Sequence, residues 1–141
     1  MRFRPYIVVS IGVVGLGPMG RAIAYFLVKH TGHVVNGYDV NDVAINEARR
    51  IGVNNAIKAD VTKYEDLRRI ANENDVVVSA VPQSIADQVV LRLHELGKPV
   101  IDLIFMWKYD EELAHKLGSG PIIVPACGWA PGLTNILAMA A

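Results

Sequence analysis

Short apolar runs alternate with amphipathic stretches along the whole chain. Ile7 to Val14 suits a buried strand, and Pro18 to His30 follows with helical spacing and a proline tolerated in its first turn. His33 to Asp39 predicts a second strand. Asn41 is placed to cap a helix through Ile51, with Ile45, Ala48 and Ile51 on one face. Ala56 to Lys58 predicts a short third strand. Thr62 and Glu65 have capping-box spacing for a helix ending near Asn72. Asp75 to Val81, with consecutive valines at its centre, predicts a strand buried on both faces. Ser84 opens a helix through Leu96 that Gly97 is placed to end. Pro99 to Leu103, Asp110 to Leu117 and Ile122 to Val124 supply a further strand, helix and strand. Leu133 to Ala141 reads as the first turns of another helix.

Parallel neighbours need crossover helices, so this alternation predicts an open α/β sheet. The expected fold is doubly wound, with a mostly parallel sheet of about six strands and helices on both faces. At 141 residues the chain is long enough for one domain and short for two. Its 52% hydrophobic content excludes intrinsic disorder. Basic and acidic residues balance at 14 each, which argues against a nucleic-acid footprint. One cysteine cannot form an internal disulfide, and the scattered histidines have no metal-ligand spacing, so no metal is expected. No run reaches the roughly 20 apolar residues of a membrane span. Arg2, Arg4 and the apolar run to Leu16 imitate a secretory signal, but the glycines crowding that run favour a strand and turn. A cytoplasmic location is the corresponding expectation.

Candidate chemistry gathers after the first strand. Gly15-Leu16-Gly17-Pro18-Met19-Gly20 fits G-x-G-x-x-G between a predicted strand and a predicted helix. Gly15 would allow the tight turn, Gly17 the approach of backbone to a pyrophosphate, and Gly20 close packing of the helix. The helix start would offer N–H groups to phosphate. Asp39 ends the second strand about 20 residues further on, where a carboxylate can bind the ribose hydroxyls and repel a 2′-phosphate. Val40 and Asn41, not arginine, follow it. NAD is therefore favoured, with Arg49 and Arg50 keeping NADP open. Asp60 and Val61 follow the third strand, where a chain can flank adenine. Ala80, Val81 and Pro82 follow the fourth, beside the crevice. Each of these also has a plain reading as a turn, cap or loop residue.

The glycine stretch resembles the opening of β-hydroxyacid dehydrogenases, although Ile101 to Phe105 does not match the substrate motif of that family. Gly15 to Asp39 with Ala59-Asp60-Val61-Thr62 also resembles the nucleotide-sensing domain of potassium transporters and channels, which implies a non-enzymatic NAD- or ATP-binding alternative. Pro125 to Ala138 resembles the G-x-x-P-G-L-x-N stretch of the saccharopine dehydrogenase family through Gly128, Pro131, Gly132, Leu133 and Asn135. That resemblance implies an oxidoreductase of lysine metabolism type, transferring hydride at an amine-bearing carbon of an amino-acid substrate. It also implies a Rossmann-type domain over 1–126 and, over 127–141, the start of a connection to a second domain. The fragment alone would then be inactive, with its catalytic acid or base elsewhere, and a homodimer is possible. Asp102, Trp129, Pro131, Gly132 and Asn135 are the substrate-side candidates. Cys127 is set aside as a nucleophile because no histidine is placed to reach it. Phe105-Met106-Trp107 could cover a pocket, form an interface or be packed core.

Overall fold

A computed structural model of the chain describes residues 7–53, 55–104, 115 and 117–140. The strands are β1 (Ser10–Val14), β2 (Val34–Asp39), β3 (Asn55–Lys58), β4 (Val76–Ser79), β5 (Val100–Asp102) and β6 (Ile123–Val124). The helices are α1 (Pro18–His30), α2 (Asp42–Arg50), α3 (Tyr64–Glu73), α4 (Gln83–Glu95) and α5 (Thr134–Ala140). The strand order is β3-β2-β1-β4-β5-β6, and every pairing is parallel. The order reverses beside β1, which creates a crevice at the strands' carboxyl ends.

Alternate side chains of the strands feed two cores. Ile11, Val13, Val35 and Val78 pack with Ala24, Ala44, Ile45 and Ala48 from α1 and α2. Val14, Tyr38, Val77 and Val100 pack with Leu67 and Ile70 from α3 and with Val89, Val90 and Leu93 from α4. This doubly wound arrangement agrees with the expectation from the chain's alternation.

Local chemistry shifts several boundaries. Ile7 and Val8 lie outside β1 and are exposed. The strand begins where Ser10 is held: its N–H and hydroxyl both donate to Asp75 Oδ2, at 2.7 and 2.8 Å. In return, Asp75 N–H donates to the Ser10 carbonyl at 2.9 Å. Asn41 does cap α2, its side chain accepting from Val43 N–H at 2.8 Å. Gly97, at φ +78°, follows α4 as expected. Thr62 does not cap α3. Its hydroxyl donates to Asp60 Oδ1 at 2.7 Å, and the helix begins after Lys63 without a side-chain cap. Nor does Ser84 cap α4, which starts one residue earlier on Pro82. Most of the expected helix over 110–117, and the cluster Phe105-Met106-Trp107, lie outside the described residues.

A polar seam runs across one face of the sheet. Asn55 donates to Asn36 (3.1 Å), Asn36 to Asn74 (2.8 Å), Asn74 to the Tyr38 hydroxyl (2.9 Å), and Tyr38 to Glu73 (2.8 Å). Asn74 also closes α3 by donating to the Ile70 carbonyl at 2.8 Å. Its amide occupies the space left open at Gly12, where an added Cβ would lie 2.9 Å from it. Burial pushes the Tyr38 phenol up to about 12.

Candidate functional site

The glycine turn is built by exclusion. Gly15 adopts φ +86°, and a Cβ there would lie 2.6 Å from the Ala80 carbonyl oxygen. A Cβ on Gly20 would collide with the Gly15 carbonyl, so α1 can start only where this residue has no side chain. A Cβ on Gly17 would meet nothing within 4 Å. Gly17 also begins α1 without a side-chain cap, and Pro18 fills the first helical position. Pro18 and Met19 are exposed. An uncapped helix start on an open glycine surface suits a diphosphate.

Asp39 is already at work in this arrangement. Its Oδ2 accepts the Leu16 N–H at 2.6 Å, and its Oδ1 accepts the Asn41 N–H at 2.8 Å. One carboxylate therefore ties the glycine turn to the start of α2. A carboxylate offers about four acceptor positions, so room remains for ribose hydroxyls.

Beside it lies a cavity of about 170 Å³. Gly15, Asp39, Val40, Asp60, Val61, Val81 and Pro82 line it, bringing together loops after four strands. Tyr38, Ala59, Thr62 and Ile85 complete the wall. Tyr38 and Ile85 were not singled out from the sequence, and Ala59 and Thr62 were not proposed there as site residues. Gly17, Pro18, Met19, Gly20 and Ala80 lie outside the cavity, on the glycine-turn side. Thr62 holds Asp60 through its hydroxyl and N–H, which lowers the Asp60 pKa from its ordinary value. Arg49 and Arg50 point elsewhere: Arg49 grips the Ala56 carbonyl through Nε (3.0 Å) and Nη2 (2.7 Å), and Arg50 pairs with Glu47.

On the other side of the crevice, Asp102 and Ser79 are register partners and both fully buried. Asp102 Oδ2 accepts the Ile104 N–H at 2.8 Å, while its Oδ1 and the Ser79 hydroxyl have no hydrogen-bond partner. Burial raises the Asp102 pKa, and Asp87 adds to the effect. The Asp102 carbonyl accepts the Cys127 N–H at 2.9 Å. Desolvation and the Asp102 charge also raise the Cys127 thiol pKa, away from the reactive thiolate.

The chain then folds back tightly. Ala126 sits at φ +58°, and Leu133 N–H reaches the Gly128 carbonyl at 2.9 Å. A Cβ on Gly128 would lie 2.6 Å from the Leu103 carbonyl, and one on Gly132 would lie 2.7 Å from the Ala126 carbonyl. Trp129 and Pro131 belong to the irregular turn Trp129–Leu133, in which Ala130 is extended. Asn135 is exposed in the first turn of α5. Asp102 approaches this turn through its backbone, with its carboxyl directed into the protein.

A larger cavity of about 460 Å³ runs along β6, and among the described residues its lining, from Leu117 and Gly118 to Ile123 and Pro125, carries no polar side chain. Among the described residues no group of His, Cys, Asp or Glu could hold a metal ion, and no helix is long and apolar enough to cross a membrane.

A parallel sheet with a glycine-cradled helix start, a carboxylate closing the next strand and a crevice at the order reversal defines a dinucleotide-binding domain. Residues 10–124 match the family described as the NAD binding domain of 6-phosphogluconate dehydrogenase. The chain belongs to that family, and its cofactor is NAD. Among solved structures it is similar to apo saccharopine dehydrogenase (L-Glu forming) of Saccharomyces cerevisiae, at 19% identity and a TM-score of 0.76, over 94% of this chain and 30% of that one. It is also similar to prephenate dehydrogenase of A. aeolicus in complex with hydroxyphenyl propionate and NAD+ (20% identity, TM-score 0.64, 86% and 42% of the two chains). A third is scyllo-inositol dehydrogenase of Lactobacillus casei with NAD(H) and scyllo-inositol (22%, 0.57, 68% and 28%). At these identities the likeness is one of fold, and the chain spans less than half the length of each. No curated protein sequence matches it.

Proposed function

We propose that this chain is the NAD-binding part of an amino-acid dehydrogenase of the saccharopine dehydrogenase type. The observation that carries the nucleotide site is the convergence of Gly15, Asp39, Asp60 and Val81 on one cavity beside the order reversal of the sheet. In this reading Gly15, Gly17, Pro18, Met19 and Gly20 form the pyrophosphate cradle. Asp39 and Val40 hold the ribose. Asp60 and Val61 flank the base, and Ala80, Val81 and Pro82 stand beside the crevice. NAD, when bound, supplies the hydride carrier; the chain binds it, orients it and limits water.

The choice of substrate class rests on the turn after β6. Gly128 and Gly132 are required by close backbone contacts, and the turn is tied to the end of β5 through Asp102. This supports a built loop at 126–133, next to the crevice, from which Trp129, Pro131, Gly132 and Asn135 would meet an amine-bearing substrate. Residues 1–126 would form the nucleotide domain, and 127–141 the start of a connection to a substrate domain. A small amino acid is the proposed partner, in a homodimeric enzyme.

Calorimetric titration with NAD, NADH, NADP and ATP at one salt concentration tests the nucleotide site. Binding of NAD or NADH with NADP much weaker supports it. Tighter binding of ATP favours a non-enzymatic sensor, and no binding of any of them overturns the reading. A polypeptide extended beyond residue 141 should then reduce NAD with lysine or saccharopine. Reduction with hydroxy acids only would overturn the substrate class.

A further inference from the structure

A charged pair, Lys58 and Asp42, lies beside Asp39 at the edge of the nucleotide site. Asp39 and Lys58 are register partners on β2 and β3. Tyr38 and Ile57 contribute to one core, whereas Ala56 contributes to the other and Gly37 faces Leu16 and Val53 of that second core. By alternation, Asp39 and Lys58 project to the same face, the one covered by α2. Neighbouring strands are roughly 4.8 Å apart, so the Lys58 stem starts alongside the ribose carboxylate.

Among the described residues, other cations near these strands have partners of their own. Arg49 is spent on the Ala56 carbonyl, Arg50 on Glu47, and Arg69 on Asp66 and the Lys58 carbonyl. Arg21 bonds the Leu16 carbonyl at 2.9 Å and Lys63 faces Asp60 at 3.8 Å, which leaves Lys58 as the base whose stem starts beside Asp39. Its ammonium is instead 2.8 Å from Asp42 Oδ2, in the first turn of α2. Both side chains are well exposed, at 63% and 70%, so the pair contributes little to stability. Its consequence lies in which anion Lys58 serves.

We propose that Asp42 is a specificity-determining residue, disfavouring a 2′-phosphorylated dinucleotide by occupying Lys58. The proposal rests on the reading of Asp39 as the ribose carboxylate. A 2′-phosphate brings up to about two negative charges against Asp39. Lys58 is the available counter-charge, and Asp42 competes for it.

The test is calorimetric titration of NAD and NADP into the wild-type chain, D42N, K58Q and D42N/K58Q, at two salt concentrations. D42N should bind NADP about two- to fivefold more tightly and NAD within about twofold of wild type. That gain should vanish in D42N/K58Q and shrink at the higher salt. No gain in a D42N chain that still binds NAD overturns the proposal alone. A gain that survives in the double variant also overturns it, because Asp42 would then act by repulsion only. A wild-type chain that binds neither dinucleotide overturns this proposal together with the nucleotide site on which it rests.

Discussion

Replacing Asp39 with Asn tests whether one carboxylate both binds ribose and clasps the glycine turn. The two oxygens accept the Leu16 and Asn41 N–H groups. An amide has only one oxygen, so whichever way it turns, one backbone N–H faces another donor. A hydrogen bond to a charged group contributes about 1.5–3 kcal/mol, and an unpaired buried donor costs about 1–3 kcal/mol. Asp39 is only half buried, so water recovers part of this, and a loss of about 2 kcal/mol is expected. For a 141-residue chain, 1 kcal/mol corresponds to about 3 °C, which places the melting temperature of D39N about 6 °C below wild type. Thermal unfolding by circular dichroism, without nucleotide, is the assay. Because no ligand is present, a lowered midpoint reports the clasp alone. NAD titration of the same variant should show weakening of about tenfold, the equivalent of 1.4 kcal/mol. An unchanged midpoint with weakened NAD binding would refute the clasp and leave Asp39 as a ligand contact only.

Gly17→Ala and Gly20→Ala should separate binding from folding. The first adds a methyl into open space and should leave the melting temperature unchanged while weakening NAD, whereas the second drives a methyl into backbone and should cost about 3 kcal/mol or more in thermal unfolding. Asp102, whose pKa burial raises, contributes stability that is complete below the ordinary carboxylate pKa of about 4 and is lost as pH rises through its folded value. Melting curves between pH 4 and 8 should therefore show wild type losing ground to D102N as pH rises; a constant difference would remove Asp102 as the cause. Asn74→Ala should cost about 2–3 kcal/mol in chemical denaturation, since it removes the partner of the Ile70 carbonyl and of the Asn36 amide and the donor to the Tyr38 hydroxyl together.

The parts of the molecule legible in the sequence are those whose cause is local. The glycine spacing, the proline after Gly17 and the Asn41 cap each act within a few residues, and the strand-helix alternation carries the topology through general rules of handedness and crossover. Asp39 could be found because its distance from the glycines is a property of one βαβ unit. Where several groups compete for one partner, near or far along the chain, the local signal misleads. Thr62 has a capping-box partner at the right spacing, yet Asp60 takes its hydroxyl. Arg49 lies near the ribose carboxylate in sequence, yet its guanidinium goes to the neighbouring strand's carbonyl. The polar seam joins Asn36 and Asn74 across 38 positions, and no periodicity announces such a pair. Lys58 became a specificity candidate only once the register set it opposite Asp39.

The clasp between Ser10 and Asp75 bears on synthesis of the chain as well as on its finished form. It joins residues 65 positions apart, and β1 pairs on that side with β4 alone. At about 5–20 residues per second, a ribosome leaves that edge of β1 without its partner for roughly 3 to 13 s. Throughout that interval an apolar strand presents unpaired backbone groups to other nascent chains. Asp75→Asn should accordingly lower the soluble yield during expression more than it lowers the melting temperature of the protein that does fold.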